Sequence, residues 1–105
     1  MTFNIDEIKA KELVKGITGK YVHSKNVTIG YVTIDKGAIL PVHSHENEQI
    51  TQIVSGRLEM TIDGTTSILE PNTITIIPSN TIHSAVALTD CVVMDTFFPI
   101  REDYK

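Results

Sequence analysis

The sequence predicts an all-β domain built as a sandwich or a barrel. β-branched residues recur in two-residue alternation, and Gly, Asn, Asp or Pro residues interrupt them at intervals of roughly 8–12 residues. The chain has 105 residues, of which 41% are hydrophobic, so it can bury one real core. We therefore expect a single domain over residues 1–105, without repeats or a linker.

The expected strands are segments of alternating polarity that end in turn residues. Alternation is clearest where Leu58, Met60 and Ile62 precede the turn Asp63-Gly64. The six segments expected to form strands are residues 27–34, 50–54, 58–62, 73–77, 82–88 and 91–98. Residues 5–17 fit a short helix and an irregular segment equally well.

The charge and cysteine content of the chain indicate which binding partners and which cellular compartment to expect. Thirteen acidic against nine basic residues give a net charge of −4, and no Lys/Arg block could follow a phosphate backbone. Charged residues interrupt the first twenty positions, which leaves no apolar stretch for a signal peptide or a membrane span. The single cysteine, Cys91, lies in an apolar run and is expected to be a buried thiol. We expect a cytoplasmic protein with no nucleic-acid or membrane partner.

Three of the four histidines stand where metal ligands are expected. His43 and His45 are two residues apart in a segment that runs out of a predicted strand, so both side chains could address one point. Gln49 follows four residues later, and His83 lies far along the chain. Imidazole and amide ligands suit one divalent transition metal ion, either Fe, Ni, Mn, Co or Zn. The alternative is that His43 and His45 belong to a polar exposed loop.

The wider spacing resembles the two motifs of the cupin superfamily. Gly37, His43, His45, Gln49 and Gly56 match the first motif at every spacing, and the second is matched by Pro78, Asn80 and His83. The resemblance implies a cupin double-stranded β-helix, a jelly-roll barrel, with a barrel core over about residues 27–98. It also implies an N-terminal wrap over 1–26 and a C-terminal tail over 99–105.

The chain departs from the usual cupin pattern in its fourth ligand and in its second motif. Gln49 stands where most cupins carry a Glu ligand, and Ala87 where an Asn is common. Asn72 and Asn80 replace the usual glycines of the second motif. Because Asn tolerates the left-handed backbone conformation better than most residues, we expect the turns to be kept.

Two longer strings resemble the KdgF-type cupins of pectin and alginate catabolism. They are residues 43–51, with Gln49 as the fourth ligand, and residues 95–104 at the end of the chain. The resemblance implies metal-dependent conversion of 4,5-unsaturated uronate monosaccharides to linear keto forms, so the partner would be a small anionic sugar. It also implies catalytic roles for Asp95 and Arg101, together with Phe97. Small cupins commonly dimerise and a small barrel exposes strand edges, so we expect a homodimer.

The residues of the tail agree with part of this interpretation. Asp95 and Phe97 share one face of the last predicted strand, which places a carboxylate among apolar residues. Such a group is costly unless it is paired or faces a wet pocket, where a carboxyl group can do acid–base chemistry. The alternative is a structural ion pair between Asp95 and Arg101. Residues 102–105 are expected to be solvated or to lie at a subunit contact.

Two other functions remain compatible with this sequence. A metal-dependent dioxygenase of the quercetinase type would need a mostly apolar cavity for an aromatic substrate. A non-catalytic small-molecule-binding cupin is the other alternative, because one fold hosts many activities.

Overall fold

A computed structural model describes all residues from 1 to 105. One-turn 3-10 helices, Ile5–Glu7 and Glu102–Tyr104, lie near the two ends. Between them the chain forms ten strands, which are β1 (Lys11–Val14), β2 (Ile17–His23), β3 (Thr28–Ile34), β4 (Ile39–His43), β5 (Glu48–Ser55), β6 (Leu58–Ile62), β7 (Thr65–Leu69), β8 (Ile74–Ile77), β9 (His83–Ala87) and β10 (Cys91–Phe98). No helix is both long and apolar enough to span a bilayer.

The strands form two antiparallel sheets that face each other, so the predicted all-β cupin barrel is confirmed. The larger sheet has the order β1-β2-β3-β10-β5-β8, and the smaller has the order β4-β9-β6-β7. Strand β10 lies between β3 and β5, so residues on its inner face are central to the larger sheet. This position matters for function because Asp95 and Phe97 lie on that face.

All six predicted strands form, and β1, β2, β4 and β7 add to them. The two interpretations of residues 5–17 each describe only part of the segment. A single 3-10 turn is followed by β1, which pairs with β2 and extends the larger sheet. The short, half-exposed strand β1 has too little alternation to show in the sequence.

The core lies between the sheets and consists of inward-facing residues from both. Twelve buried hydrophobic residues form one cluster: Ile17, Val32, Ile34, Ile53, Leu58, Met60, Leu69, Ile77, Ala85, Ala87, Cys91 and Val93. The expectation of a buried Cys91 thiol is confirmed, and burial raises the pKa of that thiol. Apolar packing fills the barrel next to its polar site and holds the strands in register.

The asparagines that replace the motif glycines adopt the expected backbone conformation. Asn72 has φ +71° and Asn80 has φ +60°, both in the left-handed region. The backbone N–H of Asn80 donates to the carbonyl of His45 at 2.8 Å. This turn therefore fixes the loop that carries one of the candidate metal ligands.

Candidate metal centre

Two of the predicted ligands are direct partners on neighbouring strands. His43 is the last residue of β4, His83 is the first residue of β9, and the strand register pairs them. Side chains of directly paired residues are neighbours on one face of a sheet. Accordingly, the two imidazole centroids lie 4.2 Å apart. Strand pairing brings the distant ligand to the near one.

His45 reaches the same point from a loop. It lies beyond the end of β4, in residues 44–47. His43 and His45 therefore do not project from one strand, and the two-residue strand spacing is not the reason that they meet. The two rings nevertheless converge, with centroids 5.7 Å apart, and the ring of His45 is 4.9 Å from that of His83. Ligand nitrogens of the three histidines all lie within 4.8 Å of one another, close enough to share an ion.

Hydrogen bonds fix which nitrogen of each histidine is free. The Nδ1 atoms of His43, His45 and His83 lie 2.8–2.9 Å from the carbonyl oxygens of Pro41, Asn47 and Thr81, respectively. A carbonyl oxygen can only accept, so each Nδ1 carries a hydrogen, and in the neutral imidazole the free lone pair is then on Nε2. This is the usual outer-shell arrangement of metal-binding histidines.

Burial favours the neutral imidazole at His45 and His83. His83 is 1% exposed, and its Nε2 is the one buried side-chain polar atom without a hydrogen-bond partner. Burial lowers the pKa of His83 to about 4 and also lowers the pKa of His45. Neutral imidazoles are the form that binds a metal ion. The three residues therefore fit a divalent transition metal.

Gln49 supplies an oxygen beside the histidines. It is buried on β5, and its Nε2 donates to Thr51 Oγ1 at 2.9 Å. Its Oε1 consequently lies 3.1 Å from His45 Nε2, so two acceptor atoms face each other. Such an arrangement would be favourable if both atoms bound the same cation. Gln49 thus places an amide oxygen beside the three imidazoles.

Asp95 lies next to this set, inside the barrel. It is 9% exposed on the inner face of β10, directly opposite Thr51 in the strand register, and its Oδ1 accepts from Thr51 Oγ1 at 2.8 Å. Burial is the main cause that raises the pKa of Asp95, to about 6, and the hydrogen bond from Thr51 opposes it. A carboxyl group with this pKa can both take up and release a proton near neutral pH.

Arg101 is buried in the tail but does not pair with Asp95. Its Nε and Nη2 donate to the two carboxylate oxygens of Asp103 at 3.0 and 2.8 Å. The guanidinium contacts two neighbouring aromatic rings, 4.8 Å from the centroid of Phe97 and 4.0 Å from that of Tyr104. Cation–π contacts of this kind hold an arginine in place. Residues 102–105 are expected to be solvated or to lie at a subunit contact; Glu102, Asp103 and Lys105 are exposed, whereas Tyr104 is half-buried within the chain.

The sequence pattern does not assign a role to three residues of the site. Thr51 links Gln49 to Asp95, and its inward parity with Gln49 was the only available signal. Asn47 accepts from His45 through its carbonyl and donates from its side chain to the carbonyl of Pro99. The ring of Tyr21 packs on that of Tyr104 at 4.4 Å, and burial raises the pKa of its hydroxyl.

The site continues into a narrow cavity between the sheets. The cavity has a volume of about 50 Å³ and is apolar except where site residues line it. Its polar wall is formed by His43, Gln49, Thr51, Asp95 and Arg101. Because His43 and His45 are only half-buried, the metal centre is open on their side.

Known proteins with similar sequences and structures share this architecture. Residues 30–97 match the Cupin domain family. The pectin degradation protein KdgF of Dickeya dadantii is 33% identical over 102 residues, which cover 94% of this chain and 93% of that protein.

Two solved structures are similar over nearly the whole chain. KdgF from Halomonas sp. has a TM-score of 0.93 and 32% identity, over 100% of this chain and 98% of that one. An RmlC-like cupin from Shewanella frigidimarina has a TM-score of 0.91 and 26% identity, over 99% and 94% of the two chains. The chain belongs to the cupin family, among the small cupins that include KdgF.

Proposed function

We propose that this protein converts 4,5-unsaturated uronate monosaccharides to their linear keto forms in the breakdown of uronate polysaccharides. The observation that carries the proposal is the buried carboxyl group of Asp95, which Thr51 joins to the amide of Gln49 beside the histidines. The similarity to two KdgF proteins, one of them named for pectin degradation, supports the substrate class.

The proposed reaction is an isomerisation that needs no co-reactant. The hydroxyl group on C1 of the sugar loses its proton as the bond between C1 and the ring oxygen breaks, so C1 becomes an aldehyde. The ring oxygen leaves as an enolate on C5. A proton then adds to C4, and C5 becomes a ketone.

Asp95 is the proposed carrier of the proton. Its pKa of about 6 means that the group is mostly ionised at neutral pH and yet is a strong enough base to become protonated during turnover. The hydroxyl of Thr51 holds one oxygen, Oδ1, and leaves Oδ2 free to exchange a proton with substrate. General acid–base catalysis of this kind contributes roughly 10²–10⁴ in rate.

Arg101 and Phe97 are the proposed substrate contacts. Asp103 takes up the Nε–Nη2 edge of the guanidinium, while Nη1 has no hydrogen-bond partner in the chain. The Nη1–Nη2 edge can therefore still make two parallel hydrogen bonds to a sugar carboxylate. The ring of Phe97 lies against both His45 and Arg101, so it forms an apolar wall between the ligands and the guanidinium.

The metal ligands are His43, His45, Gln49 and His83, as the spacing predicts. A divalent ion bound there would supply positive charge to stabilise the negative charge that develops on substrate oxygens. All four ligands are neutral, so they leave the full charge of the ion available to an anionic sugar. The cavity behind the site has a volume of about 50 Å³, which is room for only a few water molecules and not for a sugar. The sugar would therefore bind at the open side, beside His43 and His45.

Metal binding is tested on protein purified without a histidine tag. Elemental analysis should find one transition metal ion per chain, and its content should fall sharply in the His43→Ala/His45→Ala double variant. The double variant should remain folded, because the core cluster lies apart from these half-buried side chains. Equal metal content in both proteins would contradict the site.

The reaction is tested by following an unsaturated uronate by NMR with and without the protein. The alkene signal should disappear faster with the metal-loaded protein, as signals of the linear ketone grow. Calorimetric binding of the sugar without faster conversion would instead support the non-catalytic alternative. Oxygen consumption with a flavonol would support the dioxygenase.

A further inference from the structure

We propose that Thr51 is a positioning residue that turns the amide oxygen of Gln49 toward the three histidines. Thr51 is 1% exposed and lies on β5, two residues after Gln49 and on the same inward face. It does not lie among the predicted ligands. The inference depends on the proposed metal site but not on the proposed reaction.

The hydroxyl group of Thr51 can make only one arrangement of hydrogen bonds here. It has a single hydrogen, which it donates to Asp95 Oδ1 at 2.8 Å, because a carboxylate can only accept. Its lone pairs remain, and one of them accepts from Gln49 Nε2 at 2.9 Å. The amide nitrogen of Gln49 is thus fixed on the side of Thr51, and the amide oxygen on the side of His45.

The orientation of Gln49 matters because its two ends have opposite effects on a metal site. The oxygen can ligate a cation, whereas the NH₂ group would donate a hydrogen bond to the free Nε2 of His45. That hydrogen bond would occupy the lone pair a metal needs. Without an ion the flipped amide would be favourable, so another residue must oppose the flip. Thr51 opposes the flip. A flipped Gln49 would turn its amide oxygen, an acceptor, toward the Thr51 hydroxyl, whose one hydrogen is already donated to Asp95.

The strand register keeps these groups aligned. Thr51 on β5 and Asp95 on β10 are direct partners, and Gln49 is the partner of Phe97 two residues along the same pair of strands. The inward side chains of Gln49 and Thr51 are therefore neighbours along β5, and that of Asp95 is opposite Thr51 on β10. A merely structural role for Thr51 would stabilise the fold without changing the affinity for metal.

Thr51→Val is the matched variant, because it keeps the branched shape and removes the hydroxyl group. Each apoprotein is titrated with Co²⁺ in competition with a chelator, and circular dichroism verifies the fold. Loss of outer-shell partners typically weakens metal binding about 10–100-fold, and we expect a loss of this order in Thr51→Val. Thr51→Ser keeps the hydroxyl group, so its affinity should stay close to that of the wild type. Thr51→Ala makes the same comparison if the valine variant does not fold.

A double-variant comparison shows whether Thr51 acts through Gln49. In the Gln49→Ala background the amide is absent, so removing the Thr51 hydroxyl should no longer change Co²⁺ affinity. Equal affinity of Thr51→Val and wild type would overturn the inference alone, as would an undiminished loss in the Gln49→Ala background. No Co²⁺ binding by the wild type would overturn both the inference and the metal site.

Discussion

Arg101 forms its two-point ion pair with Asp103, and it makes no ion pair with Asp95. The alternative in which Asp95 and Arg101 pin the tail as a structural pair is therefore wrong. The two groups are free for different roles, because Asp95 has one hydrogen bond from Thr51 and Arg101 keeps a free edge beside Phe97. This separation makes the roles of the two residues testable one at a time.

Arg101→Lys should preserve the charge and lose the planar two-point geometry. We expect a fall in kcat/KM on an unsaturated uronate that is much larger than the fall on its methyl ester. Arg101→Ala should widen that difference further. Steady-state kinetics on both substrates make the comparison. An equal loss on acid and ester would assign Arg101 to anchoring the tail.

Asp95→Asn should show whether Asp95 acts in proton transfer or in stabilising the fold. The amide keeps the shape of the carboxyl group and cannot carry the proton, so kcat should fall roughly 10²–10⁴-fold. Tm at neutral pH should stay level or rise, because the neutral amide avoids the cost of burying the charged carboxylate, which raises the pKa of Asp95. Rates of ketone formation and thermal melts on the same samples provide the two readouts. An active but easily unfolded variant would contradict the catalytic role.

The stability of the metal-free protein should reveal opposing titrations of Asp95 and His83. The pKa of Asp95 rises from 3.8 to about 6 on folding, so its contribution to the free energy of unfolding is lost as pH rises through that window. The pKa of His83 falls from 6.5 to about 4, so its contribution is lost as pH falls. The two contributions therefore oppose each other between pH 4 and 6.

Asp95→Asn removes the titration of Asp95 and leaves that of His83. Chemical denaturation from pH 4 to 6.5 should show the variant losing stability on acidification more steeply than the wild type. The other carboxyl groups titrate in both proteins, so the difference between the two curves isolates Asp95. Parallel curves would mean that Asp95 has an ordinary pKa in the folded protein.

Gln49→Glu should separate metal affinity from catalytic power. The carboxylate supplies the more common ligand and lowers the charge of the loaded site by one unit. Metal should be retained or bound more tightly, while turnover of an anionic sugar should fall. Metal titration and NMR rate measurements decide the point. A variant with full activity would refute the argument that neutral ligands favour an anionic substrate.

The homodimer stays a prediction, and the edge of the larger sheet is where to test it. Strand β8 has no partner on one side and exposes Ile74 and Ile76. Exposed apolar edges of this kind favour pairing with another chain. Light scattering should give a dimer for the wild type and a smaller mass for Ile76→Lys. A monomeric wild type would contradict the prediction.

Most strands could be predicted from the sequence because alternating polarity and turn residues are local patterns. The alternation 58–62 and the segment 91–98 correspond fully to β6 and β10. Turn asparagines kept their role because a positive φ is cheap for Asn. By contrast, β1 and β7 are short and exposed, and they form because a neighbouring strand pairs with them.

The positions of the candidate metal ligands could be predicted from the sequence, but the hydrogen bonds and packing contacts among the site residues could not. Spacing identified the histidines, yet the pairing of His43 with His83 depends on strand register. The link from Gln49 through Thr51 to Asp95 joins two strands far apart in sequence. Tyr104 is held by contacts with Tyr21 and Arg101 that no local pattern encodes.

Deuterium incorporation at C4 tests whether the metal-loaded protein delivers the proton to the sugar from a fixed side of the site. The unsaturated uronate is converted in D₂O by the metal-loaded protein, and the linear ketone is analysed by NMR at early times. Because Asp95 is fixed on one wall of the site, deuterium should enter C4 from one face only, and the His43→Ala/His45→Ala variant should not accelerate the reaction. An equal mixture of both C4 configurations, formed no faster than without protein, would contradict proton transfer by this site.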